Sequence, residues 1–153
     1  MRTQVVRHPP ICDGSLLATK YKKALESQCG RRSMEQFTIE KLYNLDETIA
    51  AQLFEGAVYP WELLPKIRDF IVALGKRLPK DTYTEIKDRV WVAKSANIAP
   101  TACINGPAII DEEAEIRHCA FIRGNAIVGK GAVVGNSTEL KNVILFNKVQ
   151  VPH

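Results

Sequence analysis

The chain has 153 residues, enough for one domain with a real core and a short appendage, and a formal charge of +4. The charge is not spread evenly: residues 1–33 carry seven Lys or Arg against two acidic residues, and the other 120 carry fourteen against fifteen. A body near neutrality argues against a broad nucleic-acid-binding face, and no stretch approaches the length of an apolar membrane span.

Residues 1–33 read as a basic leader, flexible or partly helical. Their charge could serve contact with nucleic acid or an anionic surface, but a plain leader is the reading taken, and neither nucleic acid nor membrane is the expected partner. They lack the uninterrupted apolar run of a secretory signal, so the expected location is cytoplasmic. The four cysteines (Cys12, Cys29, Cys103 and Cys119) show no CxxC pairing and no histidine at a ligand-like offset. Neither a zinc site nor a disulfide framework is expected, and Cys103 and Cys119 read as structural.

Residues 34–89 read as a helical extension and connector. In "NLDETIAAQLFEG", Asp46 is a plausible N-cap, Ile49, Leu53 and Phe54 form an apolar stripe, and Gly56 stops the helix. "PWELLPKIRDFIVALG" predicts a second helix beginning near Pro65, with Leu64, Ile67, Ile71 and Leu74 on one side and Gly75 as its stop. Trp61 is expected to pack this extension against the main domain, and "KRLPKDTYTEIKDR" reads as a polar connector.

At Val92 the period changes to six. Val92, Ile98, Ile104, Ile110, Ile116, Ile122, Val128, Val134 and Leu140 recur at the first position, followed by Phe146. The fifth position is alanine seven times, from Ala96 to Ala132, and then Thr138, Ile144 and Gln150. Neither helix nor simple strand alternation has this period. It predicts a parallel β-helix over residues 90–153, with three hexads to a triangular coil and about three and a third coils in all. The first-position aliphatics fill the interior, and the small fifth residue sits at the corner. The ends of such a stack need covering, and the lead-in helices are expected to cover the N-terminal one.

Function should then lie in outward polar positions. Asp111, Glu112, Glu113 and Glu115 read as a solvated acidic run, and Gly129, Gly131 and Gly135 as turn or close-approach positions without the pattern of a phosphate loop. Asn136, Asn142 and Asn147 suit turns. Arg123 and Lys141 are eighteen residues apart, one coil, and should stack about one strand spacing (~4.8 Å) apart on the same face. Two like charges so close repel unless an anion joins them, which points to a phosphate or carboxylate ligand. Arg117, one hexad earlier, should face a neighbouring side.

The run "IRHCAFIRGNAIVGKGAVVGNSTELKNVILFNKVQVPH" resembles the acetyltransferase half of bacterial bifunctional enzymes that make UDP-N-acetylglucosamine, and still more their shorter sugar-nucleotidyltransferase-like relatives. The resemblance implies a left-handed hexapeptide β-helix, homotrimeric, with active sites between subunits. It implies transfer of acetyl from acetyl-CoA to the amine of an amino-sugar phosphate such as glucosamine 1-phosphate. Arg123 and Lys141 match the residues that hold the sugar phosphate, and His153 matches the general base. A neutral imidazole suits that role because its pKa lies near working pH. In that family an aromatic and "GD" stretch, then further coils with a tyrosine, an asparagine and a lysine, follow the histidine. The β-helix is therefore expected to be incomplete at its C-terminus, and the chain to have little or no catalysis by itself. The alternative reading is a non-catalytic scaffold or oligomerisation module that binds a protein partner.

Overall fold

In the computed structural model, residues 34–152 are described; the basic leader, with Cys12 and Cys29, and His153 lie outside the described residues. Phe37 onward forms one compact unit. Its body is a parallel β-solenoid of about three turns built from hexapeptide repeats. Strands β2 (Val90–Ala93), β5 (Ala108–Ile110), β8 (Ala126–Val128) and β11 (Val143–Leu145) stack in parallel as one face. Strands β3 (Asn97–Ile98), β6 (Glu115–Ile116), β9 (Val133–Val134) and β12 (Gln150–Val151) make the second. The third is β4 (Cys103–Ile104), β7 (Phe121–Ile122) and β10 (Glu139–Leu140).

Register explains why the repeat folds this way. Val92, Ile110, Val128 and Leu145 are paired in one interior column, Ile98, Ile116, Val134 and Val151 in a second, and Ile104, Ile122 and Leu140 in the third. Apart from Ile98, Ile104 and Val151, which are half-buried, all of them are buried. Burying a side chain of this size stabilises by roughly 1.5–3 kcal/mol, and no single coil could do it alone. Corners are turned by left-handed residues just before the small fifth position, including Glu113 (φ 57°) and Cys119 (φ 58°). Their amide N–H groups donate to Ser95 Oγ and Thr101 Oγ1 of the preceding coil, each at 3.1 Å, and pin corner to corner. Cys103 and Cys119 are free thiols and exposed. At Gly135, a Cβ would meet the Pro152 carbonyl oxygen at 1.8 Å, so glycine is the residue this close approach admits.

The period slips once. Ala126 pairs with Val143 and Val128 with Leu145, a spacing of seventeen residues instead of eighteen. The missing residue is in a turn: Arg123–Gly124–Asn125 in one coil is matched by Lys141–Asn142 in the next, where Asn142 takes φ 50°. Leu145, not Phe146, therefore enters the interior, and Phe146 turns outward. This corrects the hexad reading of Ile144 and Phe146.

The extension also departs from expectation. "NLDETIAAQLFEG" forms two short 3-10 turns, Leu45–Glu47 and Ala51–Phe54, in place of one helix. Asn44, not Asp46, is the cap, accepting the Asp46 amide on its side chain. Thr48 breaks the run by accepting the Ala50 amide on its hydroxyl. After a short helix α1 (Ile39–Leu42) and a 3-10 turn at Pro60–Leu63, helix α2 spans Ile67–Gly75. These elements do not cap the N-terminal end of the solenoid. Ile67 and Ile71 pack with Trp91, Ile109 and Ile127, which project outward from the β2–β5–β8 face. Trp61 stays 47% exposed, stacked on Tyr59 at 4.8 Å; the tryptophan that joins the two parts is Trp91. Gly75 is a contact residue and not a left-handed cap, because a Cβ there would meet the Trp91 ring at 2.3 Å. Among the described residues no helix is long and apolar enough to cross a membrane.

The polar connector contains a strand, β1 (Tyr83–Lys87), antiparallel to β2 and bulged between Glu85 and Lys87. It is held by a residue of the acidic run. Asp111 is buried, its carboxylate accepting hydrogen bonds from the Tyr83 hydroxyl and from the Glu112 amide (2.7 Å). The other acids are not merely solvated: Glu112 and Glu113 reach Lys130 at 3.2 and 3.8 Å, and Glu115 reaches Arg117 at 3.0 Å.

Burial first, and then the bond to Asp111, push the Tyr83 phenol well above its usual pKa. The folded protein thus keeps the phenolic proton after an unfolded tyrosine, near pH 10, has begun to lose it. Stability should be insensitive to this group below about pH 10 and should fall above it. Urea melts between pH 8 and 11 on wild type and Tyr83→Phe check this, and the fall should be steeper in wild type than in the variant, which keeps the Lys130–Glu112 pair. A second expectation concerns Thr138, which stands in the alanine column with Ala102 and Ala120 and buries a hydroxyl without a hydrogen-bond partner. Thr138→Val keeps the shape and removes the unpaired group, so it should raise stability by about 1 kcal/mol, read as the shift in the denaturation midpoint.

Candidate functional site

The turns that carry Arg123 and Lys141 are stacked. Ile122 pairs with Leu140, and the Arg123 amide donates to the Leu140 carbonyl at 2.8 Å. The eighteen-residue spacing therefore brings the two residues to one corner of adjacent coils, between the β4–β7–β10 face and the β2–β5–β8–β11 face. The interior below is close-packed aliphatic, so the backbone at this corner is rigid and each cation is presented from a fixed point.

The electrostatics differ from the expectation of two unrelieved like charges. Arg123 Nη1 lies 2.7 Å from Glu139 Oε1, and both side chains are about half exposed. Glu139 precedes Leu140 on β10 and pairs with Phe121, which sets its side chain beside the guanidinium. The protein thus supplies one anion itself. A guanidinium has five donors, so a single carboxylate oxygen leaves most of them available. Lys141 is exposed and has no ion pair among the described residues. Asn125 Nδ2 donates to Asn142 Oδ1 at 2.7 Å and ties the long turn to the short one. The third predicted residue, His153, lies outside the described residues. Arg117 is engaged with Glu115 and takes no part in this corner.

Sequence reasoning missed two features here. One is Glu139, whose only signal was an acidic residue two positions before Lys141. The other is an apolar groove of about 180 Å³ that starts at Asn142 and Val143. Tyr43 and Phe146, stacked with centroids 5.1 Å apart, stand at it, and Leu63, Leu64 and Ile67 are among the other residues that line it. The groove exists because of the shortened turn: the slip that sends Leu145 inward aims Phe146 at Tyr43 and Phe54. A wider cleft of about 470 Å³, beside Lys76, Lys80, Tyr83 and Trp91, shares no lining residue with the corner.

Comparison of the chain with protein-family models, curated proteins and solved structures gave no match. The reading of this corner therefore rests on its geometry and on the motifs in the sequence.

If Glu139 competes with an incoming anion for Arg123, then Glu139→Gln should strengthen binding of inorganic phosphate. The expected gain is about threefold, the scale of an exposed pair worth less than about 1 kcal/mol. Amide chemical shifts of Arg123 and Lys141 during a phosphate titration, at low salt, measure it.

Proposed function

We propose that the chain is a hexapeptide-repeat acyltransferase-type domain that holds the phosphate of an amino-sugar phosphate between Arg123 and Lys141. The observation that carries the reading is the Ile122–Leu140 register, which puts both cations on one rigid corner in adjacent coils. Arginine offers a planar fork to phosphate oxygens, and lysine adds a compact point charge. In the proposed reaction the sugar amine attacks the thioester carbonyl of acetyl-CoA. The new bond is C–N, the bond broken is C–S, and the thiolate of CoA leaves with a proton. In this reading His153 accepts the amine proton, and the assembled form is a homotrimer; both come from the resemblance of the "IRGN", "ELKN" and "VPH" motifs to the acetyltransferase family.

A second reading is favoured by one observation. Arg123 is already neutralised by Glu139 on an open corner, as in a solvated structural ion pair. On that reading the solenoid is a non-catalytic scaffold for a protein partner.

Titration with glucosamine 1-phosphate separates the two. On the acyltransferase reading it binds at millimolar concentration or better, and Lys141→Ala weakens it about tenfold, the usual scale for a hydrogen bond to a charged group. Failure to bind at several millimolar, with the protein folded by circular dichroism, rejects the phosphosugar site and leaves the scaffold. Release of free CoA from acetyl-CoA, dependent on the amino sugar, tests the chemistry itself.

A further inference from the structure

The turn that carries Lys141 runs directly into the apolar groove, although neither Arg123 nor Lys141 lines it. Lys141 is followed directly by Asn142 and Val143, which line the groove, and Ile144 lies further along the same strand. A ligand with its phosphate at Arg123 and Lys141 therefore has an apolar channel next to it, lined by Phe54, Leu64, Ile144 and Phe146 with few polar groups. A sugar hydroxyl entering such a channel would lose its water and gain little in return, at a cost of order 1–3 kcal/mol per unpaired group. A hydrocarbon chain would gain from the same transfer. At about 180 Å³ the groove has room for a short acyl chain.

From this adjacency we infer that the site accepts an acyl group longer than acetyl, and that the groove between the solenoid and the helical extension is its chain pocket. The inference rests on the phosphosugar reading and narrows it to N-acylated amino-sugar phosphates with chains of about four to six carbons. Leu64 is the side chain best placed to close the groove: it lines the pocket and is 53% exposed, so it is available to fold over a bound chain.

The test is a chain-length series, N-acetyl-, N-butyryl- and N-hexanoylglucosamine 1-phosphate, titrated by calorimetry against wild type, Lys141→Ala and Leu64→Asp. A fully enclosed methylene tightens binding by about fourfold (about 0.8 kcal/mol), and an open groove recovers roughly half of that energy. N-hexanoyl should therefore bind at least about tenfold tighter than N-acetyl. Leu64→Asp should abolish this dependence, and Lys141→Ala should weaken every member by the same factor. Equal affinities along the series, with Lys141 still required, overturn the chain pocket and leave the phosphosugar site standing. A chain-length gain that survives Leu64→Asp also overturns it, because the hydrocarbon is then bound elsewhere. If no member binds, it is the phosphosugar reading that has failed.

Discussion

Everything in this molecule depends on the interior columns of branched aliphatics stacked at one-coil intervals. Each strand in the solenoid is only two to four residues long, too short to persist as an isolated pairing. What holds the strands is the vertical stacking of Val92 on Ile110 and of Ile110 on Val128, and of Ile116 on Val134, in a buried aliphatic interior. The columns also fix what faces outward. Once Ile122 and Leu140 are paired inside, Arg123 and Lys141 have no choice but to share a corner, because the next residue along each strand must leave the interior there. The placement of charge is a by-product of the packing of hydrocarbon.

The same constraint explains the cost of the one departure from the period. Removing a residue from the turn after Lys141 keeps the interior filled only because the following strand advances by one, so that Leu145 takes the place of the expected Phe146. The displaced aromatic does not point to water. It meets Phe54 and Tyr43 of the extension, and the outward Ile144 continues the line of Trp91, Ile109 and Ile127. A deletion in the solenoid is thus matched by an apolar surface on a different element.

How much of this could be read in the sequence follows from the kind of signal each part leaves. The solenoid repeats its signal ten times, so one weak position matters little and the interior columns were legible to Leu140. The turn deletion has no compositional mark, since "LKNVIL" fits a hexad equally well, and only the pairing of Val143 with Ala126 exposes it. The extension was harder. Ile49, Leu53 and Phe54 are spaced for a helix, yet Thr48 and Asn44 accept backbone amides on their side chains and divide the run into 3-10 turns. Its docking face was legible in principle, because Ile109 and Ile127 are isoleucines at an outward position, eighteen residues apart. Asp111 was misread as solvent-facing because a run of acids hides the one that is buried against a tyrosine hydroxyl. At the site, Arg123 and Lys141 follow from spacing, whereas the Glu139 pair needs three dimensions: the sixteen residues between Glu139 and Arg123 match no simple repeat.

The contrast between the two halves bears on how such a site would work. The solenoid corner is set by close-packed interior side chains and inter-coil amides, and can move little without breaking several at once. The segment opposite it, from Ile39 to Leu64, is a chain of single turns joined by short irregular stretches, with Leu42, Val58, Trp61 and Leu64 exposed. Local opening is cheapest where elements are short and apolar contacts few. A rigid solenoid wall beside a yielding apolar extension favours a particular division of labour. On the phosphosugar reading, the phosphate would set the register of the ligand against the coils, and the extension would adjust around whatever the ligand carries. Specificity for the anion would then be high and specificity for the appended group graded, because the first is decided by fixed charges and the second by how far a set of single turns can close.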